Sequence, residues 1–310
     1  MDTQNIIPSL NDLLKLEYLV ASTGFSLLPK QPVHSVLAGK HASKLRGRGL
    51  DFEEARKYVA GDDIRNIDWR VTARTRTTHT KVFTEEKEKP ALVITDLTNC
   101  MFFGSEVYTK SYIAAQIAAI SAFKVLKNGD RFSGLVFSDS GSVFFRPQRS
   151  RKAILQYLQQ VVKNSEAFQN NELKVASNTP HLENALKRTS SITSHDYLIL
   201  IISDFYNISP KSKQQLIQLS KHNDVILCQV QDAMEHQLPD EKLILSDGDL
   251  QLLWQQKQTT NHRFKELIET HQNQFTDEML KYNIPIIQLN TQESIELQLK
   301  NLFKSKLKHQ

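Results

Sequence analysis

The chain has 310 residues, 40% of them hydrophobic and 24% charged, with a formal net charge of +5 at pH 7 and two cysteines. That length holds one large or two small domains, and that composition excludes the disordered, collagenous and disulfide-stapled classes. No run approaches the roughly 18 apolar residues of a membrane span, and the start MDTQNIIPSLNDLLK lacks the basic opening and apolar centre of a signal peptide, so the expected address is the cytoplasm.

Up to about Pro90 the chain is charged and turn-rich; from Ala91 onward strands and helices alternate. The expected organisation is an N-terminal arm over 1–90 and an α/β domain over 91–310. In the arm, Leu10, Leu13, Leu14, Leu16 and Leu19 suit a helix over Ser9–Ala21. A second short helix is expected at Asp51–Tyr58, capped by Asp51 and anchored by Phe52 and Tyr58. Thr80–Glu86 reads as a strand that turns at Lys87–Pro90 into a hairpin with Ala91–Thr95.

In the second region, Ala91–Asp96 is a short apolar strand and Thr109–Lys127 a helix closed by Gly129. Arg131–Ser138 and Ser142–Arg146 pair across a Ser-Gly turn, and Lys152–Val162 and Leu182–Thr189 are helical. Asp196–Ser203 has the continuous apolar character of a parallel strand buried on both faces. Helix Lys211–His222, strand Asp224–Gln231, a hairpin of Leu243–Leu245 with Leu250–Trp254, helix His262–Tyr282, strand Ile284–Gln288 and helix Gln292–Lys304 complete the pattern. This alternation specifies an open, mostly parallel sheet with helices on both faces.

Charge concentrates in GDDIRNIDWRVTAR, residues 61–74, where Asp62, Asp63 and Asp68 alternate with Arg65, Arg70 and Arg74 around Ile64, Ile67 and Trp69. Interleaved carboxylates argue for internal ion pairs rather than a phosphate-binding stripe such as Lys44, Arg46 and Arg48 would begin. On this reading the pairs lock the arm onto the sheet, with Trp69 and Ile67 as its apolar anchor. The alternative is a metal-dependent hydrolase using Asp62, Asp63 and Asp68, although each has an arginine competing for it. The chain contains no GxxxxGK[ST] phosphate loop, no HExxH zinc motif and no GxSxG elbow.

Ligands of open α/β sheets bind in the loops at the carboxyl ends of strands. Asp96 ends one core strand and is followed by Thr98 and Cys100; Asp204, beside Ser203, ends another; the loop Lys174–Pro180 offers Ser177 and Thr179. Carboxylates and hydroxyls of this kind suit a hard cation such as magnesium.

Together GDDIRNIDWRVTAR and ALVITDLTNC, which ends at Cys100, resemble the domain of unknown function 58 family, whose body is similar to a von Willebrand factor A domain. The resemblance runs from about Gly47 to Gln288 and includes QDAMEHQLP at Gln231–Pro239. It implies a Rossmann-like fold and a metal-ion-dependent adhesion site. The family's Asp-x-Ser-x-Ser pattern is matched by Asp96-Leu97-Thr98-Asn99-Cys100, its central Thr by Thr179 and its later Asp by Asp204. Cys100 departs from the pattern, because a thiol is a soft donor and a poor magnesium ligand. The implied cofactor is Mg2+ or Mn2+, with an open coordination position for a partner's carboxylate. The implied partners are a MoxR-type AAA+ ATPase and a client protein, and the implied role is a non-enzymatic adaptor in assembly or maturation of a complex.

Overall fold

The structure, a computed structural model, describes residues 5–22, 50–85, 89–169, 180–206, 208–236, 243–246, 251–254 and 258–306. The chain folds as two compact units, one of Met1–Ser26 with Lys89–Gln310 and one of Leu27–Glu88.

The smaller unit is built on an antiparallel pair, β1 (Leu50–Lys57) and β2 (His79–Glu85). Asp51–Tyr58 is therefore strand where a helix is expected. Glu53, Glu54, Ala55 and Arg56 are good helix formers, but cross-strand pairing from Asp51↔Thr84 to Lys57↔His79 overrides that local preference. Residues 91–95 are paired on both sides, with 132–136 and with 198–202, so the expected hairpin of 80–86 with them does not form. Between the two strands lie a 3-10 turn at Ile64–Asn66 and the short helix α2 (Trp69–Thr75).

The larger unit contains a six-stranded sheet in the order β10 (Ile286–Asn290), β7 (Asp224–Gln231), β6 (Leu198–Ser203), β3 (Ala91–Asp96), β4 (Phe132–Ser138), β5 (Gly141–Gln148). Every neighbouring pair is parallel except β4 with β5, which form an antiparallel hairpin at one edge. Strands β3, β4 and β6 are buried along their whole length, as helices on both faces of a sheet impose on its central strands. One face is covered by α3 (Lys110–Lys127) and α4 (Arg151–Gln169). On the other, Leu92, Ile94, Leu135, Ile199 and Ile201 pack with Leu186 of α5 (His181–Ile192), Leu216 of α6 (Pro210–Ser220) and Phe275 and Met279 of α8 (Gln258–Leu280).

Packing against α4 is close enough to dictate a residue type. A Cβ on Gly134 of β4 would fall 2.5 Å from a ring carbon of Tyr157, whose hydroxyl shares a buried 2.5 Å hydrogen bond with Thr95. Only glycine lets that ring lie flat on the strand.

Helix α1 (Leu10–Ser22) belongs to this larger unit, so residues 1–90 are not a single arm. Leu13, Leu16 and Val20 make one buried stripe that packs on α3 and α4. Lys127 donates to the Val20 carbonyl at 2.9 Å, and Arg151 pairs with Glu17 at 2.8 Å. The remaining elements are α7 (Ala233–His236), the pair β8 (Leu243–Ser246) and β9 (Gln251–Trp254), and α9 (Ile295–Lys306). The connection of the expected hairpin, between β8 and β9, lies outside the described residues after Ser246. Among the described residues no helix is long and apolar enough to cross a membrane.

This topology fixes where a site can form. After β3 the chain crosses through α3 to β4; after β6 it crosses through α6 to β7, on the opposite side. The loops leaving β3 and β6 therefore diverge and open a crevice at their carboxyl ends.

Candidate functional site

Asp96 and Ser203 end the two adjacent strands at that crevice, one residue beyond the paired Thr95 and Ile202. Asp96 is 5% exposed, and its carboxylate is gripped from both sides. Oδ1 accepts the Thr98 amide at 2.9 Å and the Thr98 hydroxyl at 2.7 Å, while Oδ2 accepts the Ser203 hydroxyl at 2.6 Å. Burial, and then the neighbouring Asp204 carboxylate, push the Asp96 carboxyl up to about 6 against the pull of those hydrogen bonds.

The positive charge at the crevice is Lys110, the first residue of α3, following the cap residue Thr109. Its side chain is 3% exposed, and its Nζ lies 2.8 Å from Asp204 Oδ2 and 2.5 Å from Glu235 Oε1. Burial opposes charge on this lysine, but the Asp204 and Glu235 carboxylates outweigh it and hold the ammonium above the ordinary lysine range. Glu235 in turn accepts the Asp232 amide through Oε2 at 3.0 Å. Buried Asp232 accepts from the Ser105 amide at 2.9 Å and the Thr291 hydroxyl at 2.6 Å. One ammonium and its carboxylates thus tie together the segments that follow β3, β6, β7 and β10.

A second clasp lies nearby. Asp139, just after β4, accepts the Asn99 amide at 2.8 Å and stands 3.4 Å from Nε2 of His181, the first residue of α5.

Of the residues expected to hold a cation, Asp96, Thr98 and Asp204 are brought together here, whereas Thr179 lies outside the described residues. Cys100 sits on the 3-10 turn Asn99–Met101 with its residue exposed. Although the residue is exposed, partial desolvation of its sulfur, then the Asp204 and Asp96 carboxylates, hold the thiol above the usual range, and sulfur is a soft donor. The set is right in kind for a hard ion, but the arrangement is not. Both Asp96 oxygens are engaged by internal donors, Asp204 already holds an ammonium, and among the described residues no three His, Cys, Asp or Glu side chains are grouped to share a metal. As arranged, these residues do not fit a resident divalent ion.

The charged motif of the smaller unit is organised differently. Asp62 accepts Arg56 Nη2 at 2.8 Å and the Val59 amide at 3.0 Å, and these bonds lower its carboxyl, Arg56 first. Asp63 caps the 3-10 turn through the Arg65 amide at 2.9 Å, and Asp68 caps α2 through the Arg70 and Val71 amides at 3.0 and 3.1 Å. Among the described residues, Arg56 is the guanidinium that meets a motif carboxylate, in place of the expected Arg65, Arg70 and Arg74. Trp69 is 70% exposed and Ile64 67%, so Trp69 is not the expected anchor. Each aspartate is occupied by its own turn, which leaves the hydrolase alternative without a shared metal cluster.

Sequence reasoning missed Lys110, Glu235, Asp139 and Asp232. One signal was available: a cation in the first turn of a helix opposes the helix dipole, so a lysine directly after the cap of an otherwise apolar helix calls for nearby carboxylates.

A model of the family described as protein of unknown function DUF58 matches residues 54–274. The uncharacterized proteins Mb1516 of Mycobacterium bovis and Rv1480 of Mycobacterium tuberculosis are each 26% identical over 227 residues, spanning 72% of this chain and 68% of their own. Among solved structures, the SpRpn10 VWA domain matches with a TM-score of 0.33 and 9% identity, covering 70% of this chain and 95% of that one. A mutant of the PilB minor pilin from Streptococcus sanguinis matches at 0.33 and 8%, covering 75% and 65%. With a family match spanning well over half its length, the chain belongs to the DUF58 family of proteins of unknown function.

Proposed function

We propose that the chain is a non-enzymatic adaptor that binds other proteins through the carboxyl edge of its central sheet. On this reading it works with a MoxR-type AAA+ ATPase in the assembly or maturation of a protein complex. The observation that supports it is the Lys110–Asp204–Glu235 cluster at the divergence of β3 and β6, where buried charges hold one another and fix the surrounding loops. Such a cluster presents a rigid polar rim. Among the described residues, the Thr98 and Ser203 hydroxyls beside it both donate to Asp96, and neither meets a histidine or lysine base.

The test is binding of the purified full chain to a MoxR-type ATPase of the same organism, by interferometry with and without ATP. The wild type forms a complex, and Asp204→Asn weakens it tenfold or more. No complex with any nucleotide state, or one indifferent to substitutions along this edge, would remove the reading.

A further inference from the structure

Resting on that reading of the edge, we infer that Lys110 is the resident cation of the site, so that its ammonium does the work of a divalent ion and binding there is independent of metal. The argument begins with placement. An ammonium at the first position of a helix faces the positive end of the dipole and loses its hydration on burial. At 3% side-chain exposure, Lys110 is held by Asp204, directly after β6, and by Glu235 of α7, the short helix that follows β7. These are the oxygens a hard ion would need.

The two cations exclude each other. A magnesium ion on the same Asp204 oxygen would sit about 2.1 Å from it and hence within about 5 Å of Nζ, with like charges facing each other between side chains of low exposure. The Thr98 and Ser203 hydroxyls donate their protons to Asp96, so they keep lone pairs but bring no charge to offset a second cation beside the ammonium that already holds Asp204. Cys100, at the position of a further oxygen ligand, offers a soft sulfur instead of a hard oxygen. Substituting the ammonium for the ion has a chemical consequence: no open coordination position exists for a partner's carboxylate. The partner meets a fixed, internally paired surface instead.

The test is Mn2+ titration of the full-length protein, followed by the free-ion electron paramagnetic resonance signal, for wild type, Lys110→Met, and Lys110→Met combined with Asp204→Asn. The wild type shows no saturable binding at millimolar Mn2+. Lys110→Met uncovers a single saturable site, because Asp204 and Glu235 have lost their counter-ion, and the double variant loses it again. Saturable binding by the wild type that Asp204→Asn abolishes would overturn the inference, as would a folded Lys110→Met that takes up no Mn2+. Should Lys110→Met fail to fold, the melting temperature of the wild type decides: unchanged between EDTA and Mn2+ supports the inference, and a rise with Mn2+ that Asp204→Asn removes refutes it. These readouts involve no partner, so a failed ATPase interaction would sink the adaptor reading alone.

Discussion

The two charged regions of this protein look alike in composition and differ in how their charges are used. In the smaller unit, Asp62, Asp63 and Asp68 each bind groups within six residues along the chain, mostly backbone amides of their own turns. At the sheet edge the partners come from far away: Asp96 meets Ser203, and Lys110 meets Asp204 and Glu235. Charge density along the sequence marks the first region, and convergence in space marks the second. A run of aspartates close to amides and arginines can satisfy itself, and so it builds turns. Sparse charges at the ends of buried strands cannot, and so they find one another across the fold.

Four substitutions or conditions sharpen that contrast. The largest effect belongs to Lys110→Met, which strands two carboxylates of low exposure and is expected to cost about 3–5 kcal/mol in urea unfolding. A cost under about 1 kcal/mol would place the pair in the class of solvated surface bridges. Next is the pH dependence carried by Asp96. Its folded carboxyl titrates near 6 against 3.8 for the free group, so the folded chain keeps the proton to higher pH than the unfolded chain does. Its contribution is therefore fully present below 3.8 and lost as pH rises through about 6, a loss of order 2–3 kcal/mol at ~1.4 kcal/mol per pKa unit. The difference in stability between wild type and Asp96→Asn, followed from pH 4 to about 7, should show that slope; a flat difference would mean that Asp96 is ionised throughout.

Gly134→Ala should cost about 1–3 kcal/mol by forcing Tyr157 off the strand beneath the site, and a neutral melting curve would show that the ring yields freely. The smallest effect is Asp68→Ala. Amide exchange at Arg70 and Val71 should accelerate while the global melting transition barely moves, and a large global loss would assign the motif a role beyond its own turn.

The sequence carried the sheet plainly because its strands are buried on both faces: runs such as LILIIS at Leu198–Ser203 leave little else to be. Asp96 and Asp204 were visible for the same reason, as polar residues interrupting apolar runs. Residues 51–58 were misread because their pattern satisfies helix locally and only the partner strand 79–85 decides otherwise. Lys110 and Glu235 were hidden because each lies in a helix where a lysine or glutamate is unremarkable until the topology places them 2.5 Å apart. Long-range pairs leave no periodic trace.

The hairpin strand β5 has a further consequence, for association between chains. Its pairing with β4 slips by one residue between Phe132 and Gly134, so that Arg146 and Pro147 together face Ser133. A proline brings no amide hydrogen, a bulge breaks the regular spacing of a ladder, and Arg146 adds charge to the same outer rim. An incoming strand would find neither an even row of donors nor a flat register to copy. The hairpin therefore closes the sheet to growth from that side, and the protein keeps an exposed edge without becoming a template for its own polymer.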